Sequence, residues 1–449
     1  MDRTFGPLLL VACSALAWAA FTPVLECFFD PQDFMTFLVP LENGSSLESY
    51  LADGWSWFED GRRVGFFRPV TSLVYLAEFH LWGGNPQGYR LLTLLLHAAC
   101  CLLVARLALG MGADTAGGIA SALLFAVHPG AVAALGMITA RGDVLSTLFT
   151  LGAVILAIRR RGGGAGLLLL LLILALGSKE LGMAALVAVP LAFLARNPAG
   201  RFPPVAAAVA ASACLFVIPR LILFGGMGGY SSLSALSAMP GNLASMLLKA
   251  TGTWFAGPAG LKAAWIAAML AVFAAGAASG GRRAASLALL FAMLVLLGFQ
   301  SIIGTPDDHY AYAPSAISCA ALGVAVPPRA PGRRGVVRAG SLVLLSLLIP
   351  SGILLSRRTA GAWAEVNRPM EAVFRAAEES AGLLEPGRTY YVPIPPGCGA
   401  VWQEMKNLPL YLAWLRPGED FRFEFIADPA AGLPGRTLYM TPGGRLAIR

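Results

Sequence analysis

Long apolar stretches follow one another from end to end of this chain and constrain it more than any other feature. A membrane-crossing helix needs about 20 consecutive apolar residues. Eleven stretches reach or approach that length: 6–28, 87–109, 116–134, 142–158, 163–177, 181–196, 203–224, 260–278, 284–303, 309–327 and 336–355. Hydrophobic residues fill 57% of the 449 positions and charged ones 13%, with a mean hydropathy of +0.68, which excludes an ordinary water-soluble enzyme. The expected fold class is therefore an all-α polytopic membrane protein with about 11 transmembrane helices. Its 51 glycines and 30 prolines suit closely packed helices and the loops at their ends, and they follow no collagen-like or low-complexity period. There is no internal repeat.

The formal charge of +8 does not point to nucleic acid, because the basic residues sit between apolar stretches rather than on a soluble face with interleaved aromatics. They are topology signals first. Arg159, Arg160 and Arg161, then Arg196 and Arg201, Arg282 and Arg283, and Arg329, Arg333, Arg334 and Arg338 all fall on one side when eleven spans are threaded. The positive-inside rule makes that side the cytoplasm, with the N-terminus inside and the C-terminal segment outside. Counting 239–257 as a span would put Arg282 and Arg283 outside, so this stretch is laid along the outer interface. Ser178, Lys179 and Glu180 are read as a tight hairpin between two short spans, since charges in mid-bilayer are costly.

The same threading gathers Asp30, Asp33, the 34–68 loop, His128, Arg141, Asp143, Lys179, Glu180, Asp307, Asp308 and His309 on the outer face. An outer face with carboxylates, imidazoles and selected cations, opposite an inner face of plain arginines, is where chemistry is expected; the plainer alternative is that loop ends are polar anyway. The 30–68 loop is amphipathic, carrying Phe34, Phe37, Leu38, Leu41, Leu47, Tyr50, Leu51, Trp55, Trp57 and Phe58, and its tryptophans suit a helix at headgroup level. Asn43 begins an Asn-Gly-Ser sequon, a glycosylation signal only in a suitable secretory compartment.

Residues 1–356 form the expected transmembrane domain, and the composition changes after Ser356. Residues 361–383 read as an amphipathic helix, and RTYYVPIP, FRFEFIA, RTLYM and RLAIR as short strands, giving a small extracytoplasmic α/β segment over 357–449. The seven cysteines show no CxxC spacing, so no metal site is expected; Cys27 and Cys398 fall on one side of the membrane, where a single bridge is open but unsupported. MDRTFG and the apolar run behind it also fit a signal peptide, and LVAC ending at Cys13 faintly resembles a lipidation box. An uncleaved first span is preferred, because many spans follow and Glu26, Asp30 and Asp33 directly after it look useful to keep.

Four passages together resemble polytopic sugar transferases of the GT-C type, in the branch of protein O-mannosyltransferases and TMTC-like membrane domains. They are FFRPVTSLVYLAEFHLWGGNPQGYRLLTLLLHAACCLLV (66–104), ALLFAVHPGAVAALGMITARGDVLSTLF (122–149), GSKELGMAALVAVPLAF (177–193) and DDHYAYAPSA (307–316). They are similar to the family's "YRPL, then G-x-P-x-G-Y-H, then LLLH", "ALLFAVHP, then GR-x-DLL", Ser-Lys-Glu and "ER-Y-LY-LPS" steps, in the right order across about 250 residues. The resemblance implies a polyprenyl-phosphate-linked sugar as donor, with mannose as the family's sugar, a protein or glycan acceptor hydroxyl, and a carboxylate base at the start of the first outer loop. The family's acidic pair is loosened here to DPQD; the base is placed on Asp33, whose Asp33-Phe34 step resembles the family's acid-aromatic one, with Asp30 as the alternative. Two departures stand out: Ala134 where an acidic residue often follows His-Pro, and His309 where the family has arginine.

Such a transfer must deprotonate an acceptor and stabilise a departing phosphate, which preorganised cations in a partly dry site do best. Arg141, Lys179, His309 and Arg68 are the donor-phosphate candidates, with Arg63 and Arg90 near the first loop; His128, Asp143, Glu180, Asp308 and Tyr310 are candidates for holding substrate. Each has a structural alternative. His97 suits interhelical hydrogen bonding, His128 a helix cap before Pro129, Arg141 and Asp143 a mutual pair across one turn, Lys179 and Glu180 an ion pair in a tight turn, and Arg220 snorkelling to the outer interface. Acidic groups beside a phosphate are also able to recruit Mg²⁺ or Mn²⁺. No nucleotide-binding loop is present. The competing function is a transporter or flippase of lipid-linked sugars, and the third an inactive scaffold of the same fold.

Overall fold

The computed structural model describes residues 5–53, 56–59, 62–160, 164–197, 202–226, 241–243, 245, 289, 292, 293, 295, 296, 307–327, 333–393, 404–426, 437–441 and 445–448. The chain is mostly helical. Among the described residues five helices are long and apolar enough to cross a membrane: Gly6–Glu26, Pro86–Gly110, Ile138–Arg159, Phe202–Phe224 and Gly335–Leu383. A sixth is added if Thr115–Ala126 and Pro129–Gly136, bent by 52°, form one broken span. The remaining expected spans are shorter helices (Ala165–Ser178, Met183–Arg196 and Tyr312–Ala325) or, for 260–278 and most of 284–303, lie outside the described residues. So do most of 239–257, Arg282, Arg283, Trp55, Cys398 and the side chain of Arg63.

The bundle is organised around the Pro86–Gly110 helix, which packs against Phe5–Phe21, Thr115–Ala126, the Arg141–Arg160 helix and Tyr312–Ala325. With lipid as solvent, helices associate by close packing and interhelical hydrogen bonds rather than by a hydrophobic driving force. Both appear here. A Cβ on Gly117 or on Gly323 would stand 2.3 Å from the other's carbonyl oxygen, so these helices cross where only glycine fits. His97 Nδ1 lies 2.8 Å from the Tyr312 hydroxyl, an interhelical bond inside the same packed layer. Cys13, Cys100, Cys101 and Cys319 are free thiols buried in this core.

A second core sits at one end of the bundle and is aromatic. Phe28, Phe29, Phe34 and Phe37 of the first loop pack with Tyr75, Tyr89, Phe374 and Tyr411. The Phe28 ring lies 4.8 Å from Phe374, and Phe34 lies 5.0 Å from Tyr411, between centroids. Phe34, Phe37, Leu38 and Tyr50 of the first loop turn inward and are buried with residues of the C-terminal segment, while Trp55 and the side chains of Trp57 and Phe58, on which the expectation of a headgroup-level helix rests, lie outside the described residues. A hairpin of Ser56–Glu59 and Arg62–Gly65 follows.

The C-terminal segment contains a parallel pair, Thr389–Pro393 with Arg422–Ile426, joined through the Leu408–Leu415 helix, and a hairpin of Leu438–Met440 with Leu446–Ile448. No break separates it from the last span. One helix runs from Arg333 to Ser380, 48 residues, and at 1.5 Å per residue it is about 72 Å long. The change of composition after Ser356 is thus a change of surroundings within a single rod, not the end of an element.

Candidate functional site

The first-loop acids are shaped by their own sequence. Asp-Pro-Gln-Asp builds a reciprocal cap: Asp30 accepts from the Gln32 amide at 2.9 Å, Pro31 takes the first helical position where no N–H is needed, and Asp33 Oδ2 accepts from the Asp30 amide at 2.9 Å. Asp33 Oδ1 accepts from the Thr139 amide at 3.1 Å, which ties the loop to the turn entering the Arg141–Arg160 helix. Arg90 fixes the chain just before the acids, donating to the Cys27 and Phe28 carbonyls at 2.7 Å each and to Gly136 O at 3.1 Å. Arg90 is therefore a backbone clamp. Asp33 is fully buried, and burial, reinforced by the neighbouring Asp30, pushes its carboxyl up to about 7 against the pull of Arg90 and the two amides. Burial also raises half-buried Asp30, whose other acidic neighbour is Glu404 of the C-terminal segment. A π-helical turn, Phe34–Leu38, begins directly after Asp33.

The cations divide into two groups. Arg141 donates to Glu78 and, at 3.1 and 2.9 Å, to the Thr93 hydroxyl, and it lies over the Tyr75 ring at 5.6 Å. Lys179 Nζ is 2.6 Å from Asp143 Oδ2, with His309 Nε2 at 3.9 Å from the same oxygen and the Tyr310 ring 4.8 Å from the ammonium. Arg68 reaches Glu180 Oε2 through Nε at 3.0 Å and Nη2 at 2.7 Å, while Arg220 Nη2 bonds the other oxygen at 2.7 Å and Phe67 O at 2.9 Å. Burial disfavours the Glu180 carboxylate, but Arg68 and Arg220 outweigh it and hold the group down at about 2. Arg68, Lys179, His309 and Glu180 keep 11%, 8%, 12% and 18% of their side-chain surface, whereas Arg141 and Asp143 keep none.

The structure brings most of the candidates around one short segment. Residues 139–143 carry the Thr139 amide on Asp33, Arg141 on Glu78, and Asp143 on Lys179. Tyr75 donates to Ile138 O at 2.6 Å and Thr71 to Ser178 O at 2.7 Å, which docks the Pro69–Trp82 helix on both flanks. A Cβ on Gly142 would stand 3.0 Å from Ser178 O, so the two chains meet backbone to backbone there. The local pairs considered from sequence do not form: Arg141 pairs with Glu78 rather than Asp143, and Lys179 with Asp143 rather than Glu180. Arg220 does not snorkel. It is buried and spans from Glu180 to Phe67. His128 is buried, and its Nδ1 accepts from the Gly130 amide at 3.0 Å, capping the turn at Pro129. Asp308 stands exposed at the start of the Asp308–Ala311 turn.

Sequence reasoning missed Glu78 and the Thr139 amide. Glu78 carried a readable signal, as the one acid in PVTSLVYLAEFHLW, since an ionisable group in an apolar helix marks a buried partner. The backbone amide carried none. Among the described residues no group of three His, Cys, Asp or Glu side chains could hold a metal ion.

No protein-family model matches the chain. Two curated proteins resemble part of it. Protein O-mannosyl-transferase Tmtc1 of Drosophila melanogaster is 29% identical over 141 residues, covering 30% of this chain and 16% of the relative. Protein O-mannosyl-transferase F38B6.6 of Caenorhabditis elegans is 29% identical over 172 residues, covering 35% of this chain and 24% of the relative. The matched region thus spans less than a quarter of the length of either relative. Among solved structures, ArnT from Cupriavidus metallidurans bound to undecaprenyl phosphate aligns with a TM-score of 0.55 at 13% identity over 100% of this chain and 98% of its own. The archaeal oligosaccharyltransferase AglB from Archaeoglobus fulgidus, in complex with an inhibitory peptide and a dolichol-phosphate, aligns with a TM-score of 0.56 at 13% identity over 96% of this chain and 65% of its own. At such identities the likeness establishes the fold alone, the one that this chain shares with ArnT and AglB.

Proposed function

We propose that this chain is a polyprenyl-phosphate-dependent glycosyltransferase that moves one sugar, mannose by resemblance, to a hydroxyl of a protein or glycan acceptor outside the cytoplasm. One observation carries the reading: a buried carboxylate and a partly open cation cluster are anchored to the two ends of the same short segment, Thr139 to Asp143. In this reading Asp33 takes the acceptor proton as the acceptor oxygen bonds to the anomeric carbon. The anomeric carbon–phosphate oxygen bond breaks, and the phosphate leaves with the electron pair toward Lys179 and Arg68, the cations that retain exposure, with the His309 imidazole beside them as a hydrogen-bond donor. Arg141, sealed against Glu78, holds the segment rather than the phosphate. Asp33 is preferred over Asp30 because its oxygen meets the segment whose Asp143 holds Lys179, while Asp30 faces Glu404.

Asp33 is covered in this state, so the acceptor reaches it after the first loop shifts; the π-helical turn at Phe34–Leu38, a type of irregularity frequent at functional sites, is where that shift is placed. The reading includes eleven crossings, an N-terminus in the cytoplasm and an extracytoplasmic C-terminal α/β segment. No step in this reading is routed through Mg²⁺ or Mn²⁺. The test is transfer from a synthetic polyprenyl-phosphate sugar in vesicles. Asp33→Asn should lower turnover at least about 100-fold, the usual contribution of a positioned base, and lower stability by only about 1–3 kcal/mol, because its amide nitrogen must face one of the two backbone N–H donors. Full activity in that variant, or labelled donor moving across the membrane without a new glycosidic bond, rejects the assignment.

A further inference from the structure

A cavity of about 420 Å³ is lined by the end of the first span, the Gly84–Gln87 turn, the long helix and the Leu408–Leu415 helix. Its volume falls within the range of small-molecule sites, roughly 300–1,000 Å³. Its lining is chemically mixed. Glu26, Asn85, Gln87, Glu371 and Glu378 offer carboxylate and amide groups around the half-buried indole of Trp414.

That combination limits the occupant. Three carboxylates in the wall disfavour a phosphate or any other anion. A cationic peptide is poorly served as well, because Arg375 lies in the same wall and already engages Glu378 at 3.0 Å and Glu371 at 3.6 Å. What remains well matched is a neutral ligand rich in hydroxyls, since carboxylates and amides accept and donate to hydroxyl groups while an indole presents a flat apolar surface to the C–H face of a ring. We infer that this cavity is a subsite for a neutral glycan, one to three sugar units long, belonging to the acceptor.

The inference rests on the glycosyltransferase reading and deepens it by naming the acceptor class. The position is suited to the role. Cys27 and Phe28 line the cavity and lead directly into Asp30 and Asp33, and Arg90 grips both of their carbonyls. The Phe28 ring lines the cavity beside Phe374, 4.8 Å away, and lies 6.2 Å from Phe34, the residue after Asp33. A chain seated there lies against the Cys27–Phe28 segment that runs into the turn carrying the base.

The experiment measures binding of mannotriose, maltotriose and cellotriose, with pentalysine as the cationic control, to the full chain in nanodiscs. It is run in the Asp33→Asn background and without donor, so that binding is scored apart from transfer. At least one trisaccharide should bind. Trp414→Ala and Gln87→Ala should each weaken it at least tenfold, Gln87 being an exposed side chain whose loss leaves packing intact. The inference is overturned if no trisaccharide binds, if both variants bind as tightly as the parent, or if pentalysine binds and is lost in Glu371→Gln. Binding with no transfer by the unsubstituted protein would instead overturn the glycosyltransferase reading.

Discussion

Arg141 with Glu78 and Lys179 with Asp143 are two ion pairs anchored within three residues of each other, yet they are built for different work. The first is sealed: neither side chain keeps more than 2% of its surface, and the guanidinium is shared among a carboxylate, a hydroxyl and an aromatic face. The second opens at one side, where Lys179, His309, Tyr310 and Arg68 form a rim with residual exposure. A cation fully used by protein groups positions backbone, whereas one held by a single carboxylate beside other cations is able to exchange that partner for a phosphate oxygen. Position at the end of a span does not distinguish the two; the number and exposure of partners does.

The sharpest way to break the comparison is at Glu78. Glu78→Ala leaves Arg141 buried without its carboxylate and should cost about 3–5 kcal/mol of stability, read as a lower unfolding temperature in detergent. An unfolding temperature equal to the parent's would mean that Arg141 is not sealed. Next comes Lys179→Met, expected to slow turnover about 100-fold, near the usual loss for one transition-state donor, with smaller change in stability, because Asp143 keeps His309 within 3.9 Å. If this variant unfolds as readily as Glu78→Ala, the rim is structural too. The smallest effect is in pH. A base raised from the usual 3.8 to about 7 is unprotonated only above that value, so turnover should fall about tenfold per pH unit below 7. The same shift makes the folded state bind the proton more tightly than the unfolded chain, so this group's contribution to stability falls as pH rises from about 4 to about 7. A rate profile with its limb near 4 would place Asp33 in water.

Span-length apolar runs such as 6–28, 87–109 and 203–224 were legible in the sequence, since length and hydropathy are properties of a contiguous string. The Asp30–Asp33 cap was half legible: its residue types signal a helix start, but the Thr139 amide it reaches is 106 positions away. Pairing was not legible. Arg141 and Asp143 are two apart on one helix and Lys179 and Glu180 are adjacent, spacings that point side chains to different faces, so each turns to a partner on another element. Arg220 shows the same limit, with contacts 40 and 153 residues back along the chain. The aromatic first loop reads equally well as a membrane surface anchor and as a core, and only the arrival of Phe374 and Tyr411 decides between them.

The 48-residue helix has a mechanical consequence. It is more than twice as long as a hydrocarbon layer of about 30 Å is thick, so a tilt of the segment beyond the membrane is also a tilt within it. The Ser356 hydroxyl, partway along, donates to Val127 O at 3.0 Å, one residue before the capping His128. That bond ties the long helix to the turn at Pro129, and the prolines at 350 and 369, each lacking a backbone donor, are the points at which the helix bends most readily.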